Sequence, residues 1–364
     1  MKLAIVRQKY TPFGGAERFV AQALEALRKQ GVVVEIVARK WQGDTAGIDC
    51  NPFYLGRIWR DAGFAHCVQR VIASGRYDLV QSHERIPGCH IFRAGDGVHA
   101  TWLELAGKPF ARLSPWHRYT LAAEAAMLRH PALEAVICNS RMVRDDIALR
   151  FPEAAEKLRV IYNGVDLAHF HPGLREELRG STRKKVGVGE TAPVILFVGS
   201  GFARKGVAAL LKTLAGMTTR NAEVWVVGKD KQQGRYEALA HRLGIAHRVH
   251  FFGGQPEMRP FYAAADVFCL PTLYDPMPNA TVEALACGLP VVTTPGSGAS
   301  ELIVPGANGY ICAAHEDTAL AARLDALCMP GVAASMRKAA RDAVSNLDWK
   351  RQAEELTALY RSLR

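Results

Sequence analysis

The chain has 364 residues, 49% hydrophobic and 22% charged, with a formal net charge of +11. This describes a globular protein long enough for two domains and excludes disordered and fibrous classes. No apolar run reaches the roughly 18 residues of a membrane span, MKLAIVRQKY is too short-cored for a signal peptide, and no basic run or zinc-finger, helix-turn-helix or RNA-binding signature points to nucleic acid.

KLAIV (2–6) reads as a buried first strand. It leads into YTPFGGAERF, where Gly14 and Gly15 precede a helix beginning near Ala16. The glycine pair either closes a tight strand–helix turn or lets backbone amides approach an anion. It is not a dinucleotide fingerprint, because no G-x-G-x-x-G is present. Further strands are expected at VVVEIVA (32–38), DLVQSH (78–83), CHIFRA (89–94) and EAVICNS (134–140). The third and fourth of these frame FRAGDGVHATW, which sets Asp96 and His99 at a strand's carboxyl end as candidates to touch a ligand. Residues 102–131 interleave Trp102, Phe110, Trp116 and Tyr119 with Lys108, Arg112, Arg118 and Arg129. That mixture suits either a packed helix with a solvated basic edge or a segment lying on an anionic membrane surface. Residues 1–165 carry 23 Lys/Arg against 16 Asp/Glu, which favours anionic partners.

After RVIYNGVDLAHF (159–170), the polar stretch GLREELRGSTRKKVGVGE reads as a domain boundary, dividing the chain into domains 1–165 and 166–345. Strands then resume at VILFVGS (194–200), AEVWVVG (222–228), RVHFFGG (248–254), DVFCLPT (266–272) and PVVTT (290–294). Near-continuous apolar strands alternating with helices predict an α/β fold with two doubly wound parallel sheets, whose ligands sit beyond the carboxyl ends of the strands in the cleft that two such halves leave between them. In VGSGFARKGVAAL, Arg204 and Lys205 follow the strand by a few residues: a solvated basic turn, or a pair of cations for a diphosphate. In LYDPMPNATVEALACGLPVV, Pro276 and Pro278 keep Asp275 out of a helix that starts near Asn279, with Asn279 as its cap, and ends at Gly288. Asp275 and Glu283 then flank a helix start, a pairing suited to a polyhydroxylated ligand. The stretch lacks the further ligands a metal would want, so no metal is expected. TPGSGASELI, with Gly296 to Ser300 and Glu301, either touches phosphate or simply connects strand to helix. The final stretch, 346–364, is an amphipathic helix with Leu356, Leu359, Tyr360 and Leu363 on one face. The eight cysteines show no C-x-x-C pair, and Cys138, Cys269 and Cys287 lie in apolar runs, so reduced core thiols and a cytosolic compartment are expected.

Taken together, FGGAER, FARKG, VVGK and the Asp-x7-Glu segment with ALACGLPVV resemble a retaining family-4 glycosyltransferase of the GT-B fold, over nearly the whole chain. GSGFARKGV, VVGKDKQQGRYEALAHRLGI and RVHFFGG are similar to bacterial lipopolysaccharide core heptose α-1,3-glucosyltransferases. The resemblance implies two Rossmann-like domains: an N-terminal one for the acceptor, onto which the last helix packs back, and a C-terminal one for a UDP-hexose, most simply UDP-glucose. It implies that Glu283 holds the ribose hydroxyls and Asp275 the donor sugar. Arg204 and Lys205 would hold the diphosphate, with amides of Gly15, Ala280 and Thr281, in a donor site that also takes in Gly14, Gly199, Gly228, Lys229, Met277, Pro278 and Asn279. It implies front-face transfer without metal or other cofactor, a lipid-linked oligosaccharide acceptor, and a cytoplasmic protein peripheral on the inner membrane. Asp275 stands where most of the family has Glu. Other classes are a GT-B epimerase or phosphorylase, the latter marked by a lysine-bound pyridoxal group, and a membrane-bound nucleotide-sugar scaffold without turnover.

Overall fold

The computed structural model describes residues 1–9, 27, 31–40, 47–107 and 110–364, apart from the side chain of Arg112. Gly14, Gly15 and the helix start expected near Ala16, and Lys108, lie outside the described residues. The chain forms two compact units, Met1–Gly164 with Trp349–Arg364, and Val165–Asp348.

Among the described residues, the first unit is built on seven parallel strands: β1 (Lys2–Lys9), β2 (Val33–Lys40), β3 (Gly47–Asp49), β4 (Leu79–Ser82), β5 (Ile91–Arg93), β6 (Ala135–Cys138) and β7 (Leu158–Val160), in the spatial order β3-β2-β1-β4-β5-β6-β7. Because successive side chains of a strand face opposite ways, each strand feeds two cores. Leu3 and Ile5 join Leu79, Ala135 and Ile137 on one face, and Ala4 and Val6 join Val80, Phe64 and Val68 on the other. The helix Gly56–Ala73 covers the second face. The first face is closed by the helix Trp349–Ser362 from the chain's end, through Leu356, Leu359 and Tyr360. The Tyr360 hydroxyl donates to Gln81 Oε1 at 2.7 Å, so a buried polar group is satisfied there instead of left orphaned.

In the second unit, β8 (Val194–Val198), β9 (Glu223–Val227), β10 (Val249–Gly253), β11 (Val267–Leu270), β12 (Val291–Thr293) and β13 (Gly309–Ile311) form another all-parallel sheet, ordered β10-β9-β8-β11-β12-β13. All ten strands read from the sequence are present. The other three, β3 (GID), β7 (LRV) and β13 (GYI), are short and each holds a glycine or a charged residue, so they show no apolar run, unlike the equally short VVT of β12.

Three expectations are corrected. The polar stretch 173–190 is not itself a domain boundary: Leu174–Val186 is a helix inside the second unit, which begins at Val165. Its composition misleads because arginines at a spacing of four share one helix face. Arg175, Arg179 and Arg183 all reach the Asp266 carboxylate, at 2.9, 3.1 and 2.6 Å. Arg183, fully buried, also donates to the carbonyls of Ala264, Gly189 and Ala192. Asn279 does not cap its helix. It is the first helical residue, and Pro278, extended at φ −70° and ψ 112°, takes the cap position. Finally, the cysteines are not all thiols. Cys50, following β3, and Cys67, inside the helix Gly56–Ala73, are joined in a disulfide across Cα atoms 5.8 Å apart. No spacing motif announces it, because the fold and not the sequence brings the two together. The other six cysteines are free, five of them buried. With a disulfide present, the compartment no longer follows from cysteine usage.

Candidate active site

The loops after β8, β9, β10 and β11 converge at the carboxyl edge of the second sheet. β8 runs into Gly199 and Gly201, then into one helical turn, Phe202–Lys205, and Gly206 at φ +83° starts the next helix. A Cβ on Gly206 would stand 2.0 Å from the Pro271 carbonyl oxygen, so only glycine lets this turn press against the end of β11. A Cβ on Gly228 would likewise lie 2.1 Å from the Gly199 carbonyl oxygen. The close approach is fixed by Gly199 N–H donating to Val227 O and Gly228 N–H donating to Gly253 O. Lys205 folds its alkyl chain across Gly199, and Lys229 lies across Gly254. Asp230 accepts from the Phe202 amide at 2.8 Å and so tethers the first turn after β8.

Arg204, Lys205 and Asp275 meet here. Asp275 Oδ2 lies 3.0 Å from Lys205 Nζ and 3.2 Å from Arg204 Nη1, and Arg204 also donates to Tyr274 O at 2.7 Å. The Arg204 carbonyl accepts from the Leu273 amide and the Thr272 hydroxyl, which locks the cationic turn to the loop bearing the acid. Asp275 is itself pinned: its amide donates to Gly296 O and its carbonyl accepts from Gly298 N–H. Buried nearby are two hydroxyls with no partner among the described residues, Thr281 Oγ1 and Ser297 Oγ. Buried polar groups are nearly always satisfied, so a pair of orphans beside an ion-paired cluster marks a place shaped for a polar ligand. The helix Asn279–Ala286 starts at this point and directs its positive dipole end here. The Thr281 amide is turned to Pro278 O inside the helix, which leaves its hydroxyl as the group on offer. Glu283, one turn in, accepts from the Tyr262 hydroxyl at 2.7 Å. Met277 and Pro278 are buried, and Asn279 and Ala280 half-buried.

In the first unit, the turn after β5 leaves Asp96 exposed, while His99 opens the helix His99–Leu105 and is buried. The His99 amide donates to both Glu124 oxygens, at 3.0 and 3.2 Å. Glu124 also accepts from Arg85 Nε at 2.7 Å, and Arg85 donates on to Gly97 O. The His99 ring lies 3.0 Å, Nε2 to Nδ1, from His117 and edge-on to Trp116. Burial, reinforced by Arg85 and His117, pushes the His99 pKa down to about 4, so the ring is a neutral donor or acceptor at ordinary pH. Burial pushes Glu84, just after β4, the other way, with Asp96 adding to the rise.

The residues read from the sequence thus fall into two groups. Gly199, Arg204, Lys205, Gly228, Lys229, Asp275, Met277, Pro278, Asn279, Ala280, Thr281 and Glu283 lie on the second unit, and Asp96 and His99 on the first. Sequence reasoning passed over Tyr262 and Asp230 in one, and Arg85, His117 and Glu124 in the other, while Ser297 lies in the turn Gly296 to Ser300 that it left open between touching phosphate and connecting strand to helix. The charged pair in SHERIPG, directly after an expected strand, was a usable signal for Arg85. For Tyr262, in the middle of a short helix, there was none.

Comparison with known proteins follows the same division. Residues 13–169 match the family model described as Glycosyltransferase Family 4, and residues 179–343 match Glycosyl transferases group 1. The chain is similar to the lipopolysaccharide glucosyltransferase WaaG of Escherichia coli K12, 26% identical over 86% of this chain and 85% of that protein. Its fold superposes on the crystal structure of WaaG with a TM-score of 0.85 at 24% identity, covering 98% of this chain and 99% of the other. Anabaena Alr3699/HepE, solved in complex with UDP and glucose, superposes with a TM-score of 0.75 at 22% identity over the full length of both chains.

Proposed function

The chain belongs to the family-4 glycosyltransferases of the GT-B fold, and from that premise we propose that it transfers a hexose, glucose in the simplest case, from a UDP-sugar to a heptose or other sugar of a lipid-anchored lipopolysaccharide inner core, with retention of configuration. The observation that carries the donor half is the Arg204–Lys205–Asp275 cluster beside the two orphaned hydroxyls. A nucleoside diphosphate brings two negative charges for the cations, and a sugar brings hydroxyls for the acid and for Thr281 and Ser297. Relatives point the same way: WaaG is named for glucosyl transfer to lipopolysaccharide, and HepE was crystallised with UDP-glucose.

Transfer builds positive charge at the anomeric carbon while UDP departs with added negative charge. Arg204 and Lys205, held in place before the substrate arrives, stabilise the departing diphosphate together with the dipole of the Asn279–Ala286 helix. Asp275 and Glu283 do not form the nucleophile and acid pair of a glycoside hydrolase: in this reading Asp275 orients the sugar and Glu283 the ribose, and the acceptor attacks from the face UDP leaves, giving its proton to the leaving phosphate. The cations meet the diphosphate charge, so the reading calls for no metal or other cofactor. The first unit takes the acceptor, with His99 and Asp96 at its sugar, and residues 102–131 bring that unit to the cytoplasmic face of the inner membrane, where a lipid-linked acceptor is met.

A donor panel tests this, reading UDP release from several nucleotide sugars by wild type and Lys205→Ala. UDP-glucose should be turned over by wild type, and the variant should fold normally and lose most of that activity. Release from none of the sugars, or full activity in the variant, refutes the assignment.

A further inference from the structure

We propose that residues 51–59, the stretch NPFYLGRIW, form a second bilayer-docking element, continuous with the segment around Phe110 to Trp116, so that the first unit meets an anionic membrane on two strips instead of one. This rests on the lipid-linked acceptor reading above. All nine residues are exposed, and Phe53, Leu55 and Trp59 keep 74, 68 and 51% of their surface in water. Among the described residues there are thirteen large exposed apolar side chains; eight lie in 53–59 and 105–113. An apolar concentration of that kind on a protein surface marks something that covers it.

Three features select a membrane as the occupant. No acidic residue stands between Cys50 and Arg60, while Arg57 is exposed within the stretch and Arg39 stacks over the Tyr54 ring at 4.2 Å. Aromatic rings beside arginines are the composition of the interfacial zone of an anionic bilayer. The stretch is also held firmly instead of dangling. The Cys50–Cys67 disulfide anchors its start to the helix that follows, and Phe53 packs edge-on to Trp59 with centroids 5.8 Å apart. Finally, it connects to the acceptor side. Arg57 lies over the Trp116 ring at 5.6 Å, Trp116 Nε1 donates to Asp61 at 2.9 Å, and the other edge of Trp116 meets His99. One tryptophan therefore links Arg57 of the strip to the histidine assigned to the acceptor, and a lipid-anchored sugar held at His99 would have its anchor beside the strip.

The test is flotation of the full chain with vesicles of phosphatidylglycerol and phosphatidylethanolamine, against vesicles of phosphatidylcholine alone. Wild type is compared with the triple variant Phe53→Ser, Leu55→Ser, Trp59→Ser, with Arg57→Glu, and with Leu149→Ser as a control on another exposed apolar side chain. Thermal melting confirms folding, and UDP release to a water-soluble acceptor reports the donor site. Wild type should float with the anionic vesicles and weakly with the neutral ones, and about 0.5 M salt should loosen it. The triple variant should lose about tenfold or more of its partitioning, and Arg57→Glu should lose the preference for anionic lipid. The control should be unchanged, and UDP release should be unaffected in all. Undiminished binding by the triple variant overturns the proposal. So does a wild type that ignores vesicles while still transferring sugar, which leaves the glycosyltransferase reading standing. So does a self-association in sedimentation that the triple variant abolishes, because the strip then covers a second copy.

Discussion

Lys205 Nζ and Asp275 Oδ2 lie 3.0 Å apart, and Arg204 approaches the same oxygen at 3.2 Å. The cations assigned to the diphosphate thus already carry a counter-ion, and a nucleotide must share them with it. This separates two variants. In Lys205→Ala, a preorganised charge at the leaving group is lost, and kcat should fall about 10²–10³-fold, with thermal stability close to wild type. A steady-state UDP-release assay reads the loss; a kcat within twofold of wild type would show that the lysine does not serve the leaving group.

Asp275→Asn removes a negative charge from beside the diphosphate while keeping the shape. UDP should bind more tightly by a few-fold, and turnover should fall because the sugar is no longer oriented. Titration calorimetry with UDP, set against kcat, checks both signs. Weaker UDP binding would mean that the acid is needed chiefly to hold Arg204 and Lys205 in place.

Asp266 holds three arginines of one helix, and Arg183 among them has no access to solvent. Asp266→Ala leaves that guanidinium buried without its carboxylate, a change that typically costs about 3–5 kcal/mol. Urea unfolding should show this loss, while UDP affinity measured well below the midpoint stays near wild type, because Asp266 stands at the amino end of β11, whereas the residues assigned to the donor follow the carboxyl ends of β8, β9 and β11.

Two glycines with left-handed backbone angles should respond differently to alanine. At Gly206 the added methyl meets the Pro271 carbonyl oxygen, whereas at Gly31, φ +79°, nothing among the described residues lies within 4 Å. Gly31→Ala should cost about 1–2 kcal/mol of backbone strain alone. Gly206→Ala should cost clearly more, about 4 kcal/mol or above, and should disturb the Arg204–Lys205 turn. Paired thermal melts decide it; equal losses would mean that the turn relaxes freely.

The His99 pKa near 4 sets a pH dependence of known sign. Its folded value lies below its unfolded one, so between about pH 6.5 and 4 the unfolded chain binds the extra proton. The stability contributed by this group is complete above about pH 6.5, falls as pH drops toward 4, and is level below. Stability of wild type minus His99→Gln across pH 4–8 should show that slope, and the pH–rate profile of wild type should show no limb from His99 between pH 5 and 8.

Much of the fold could be read in the sequence because parallel strands buried on both faces leave continuous apolar runs, as in VILFV and AVIC. The clustering of Arg204 and Lys205 near the carboxyl end of β8 could be read because strand, turn and helix place them a few positions apart. Composition failed where long-range pairing reverses its meaning. The arginines at 175, 179 and 183 look like a polar domain boundary until Asp266, more than eighty residues away, is set against them. The same holds for Cys50 with Cys67, and for His99 with His117 and Glu124, whose relation depends on packing between elements that no local pattern records.

The helix Trp349–Ser362 completes the core of the first unit, although everything from Val165 to Asp348 belongs to the second. The second unit is therefore an unbroken length of chain, and the first is not. On a ribosome the later lobe can mature while the earlier one still lacks a wall, because that wall, Tyr360 included, is translated only after Asp348. A stop codon in place of Trp349 would spare the lobe just completed and ruin the one made first.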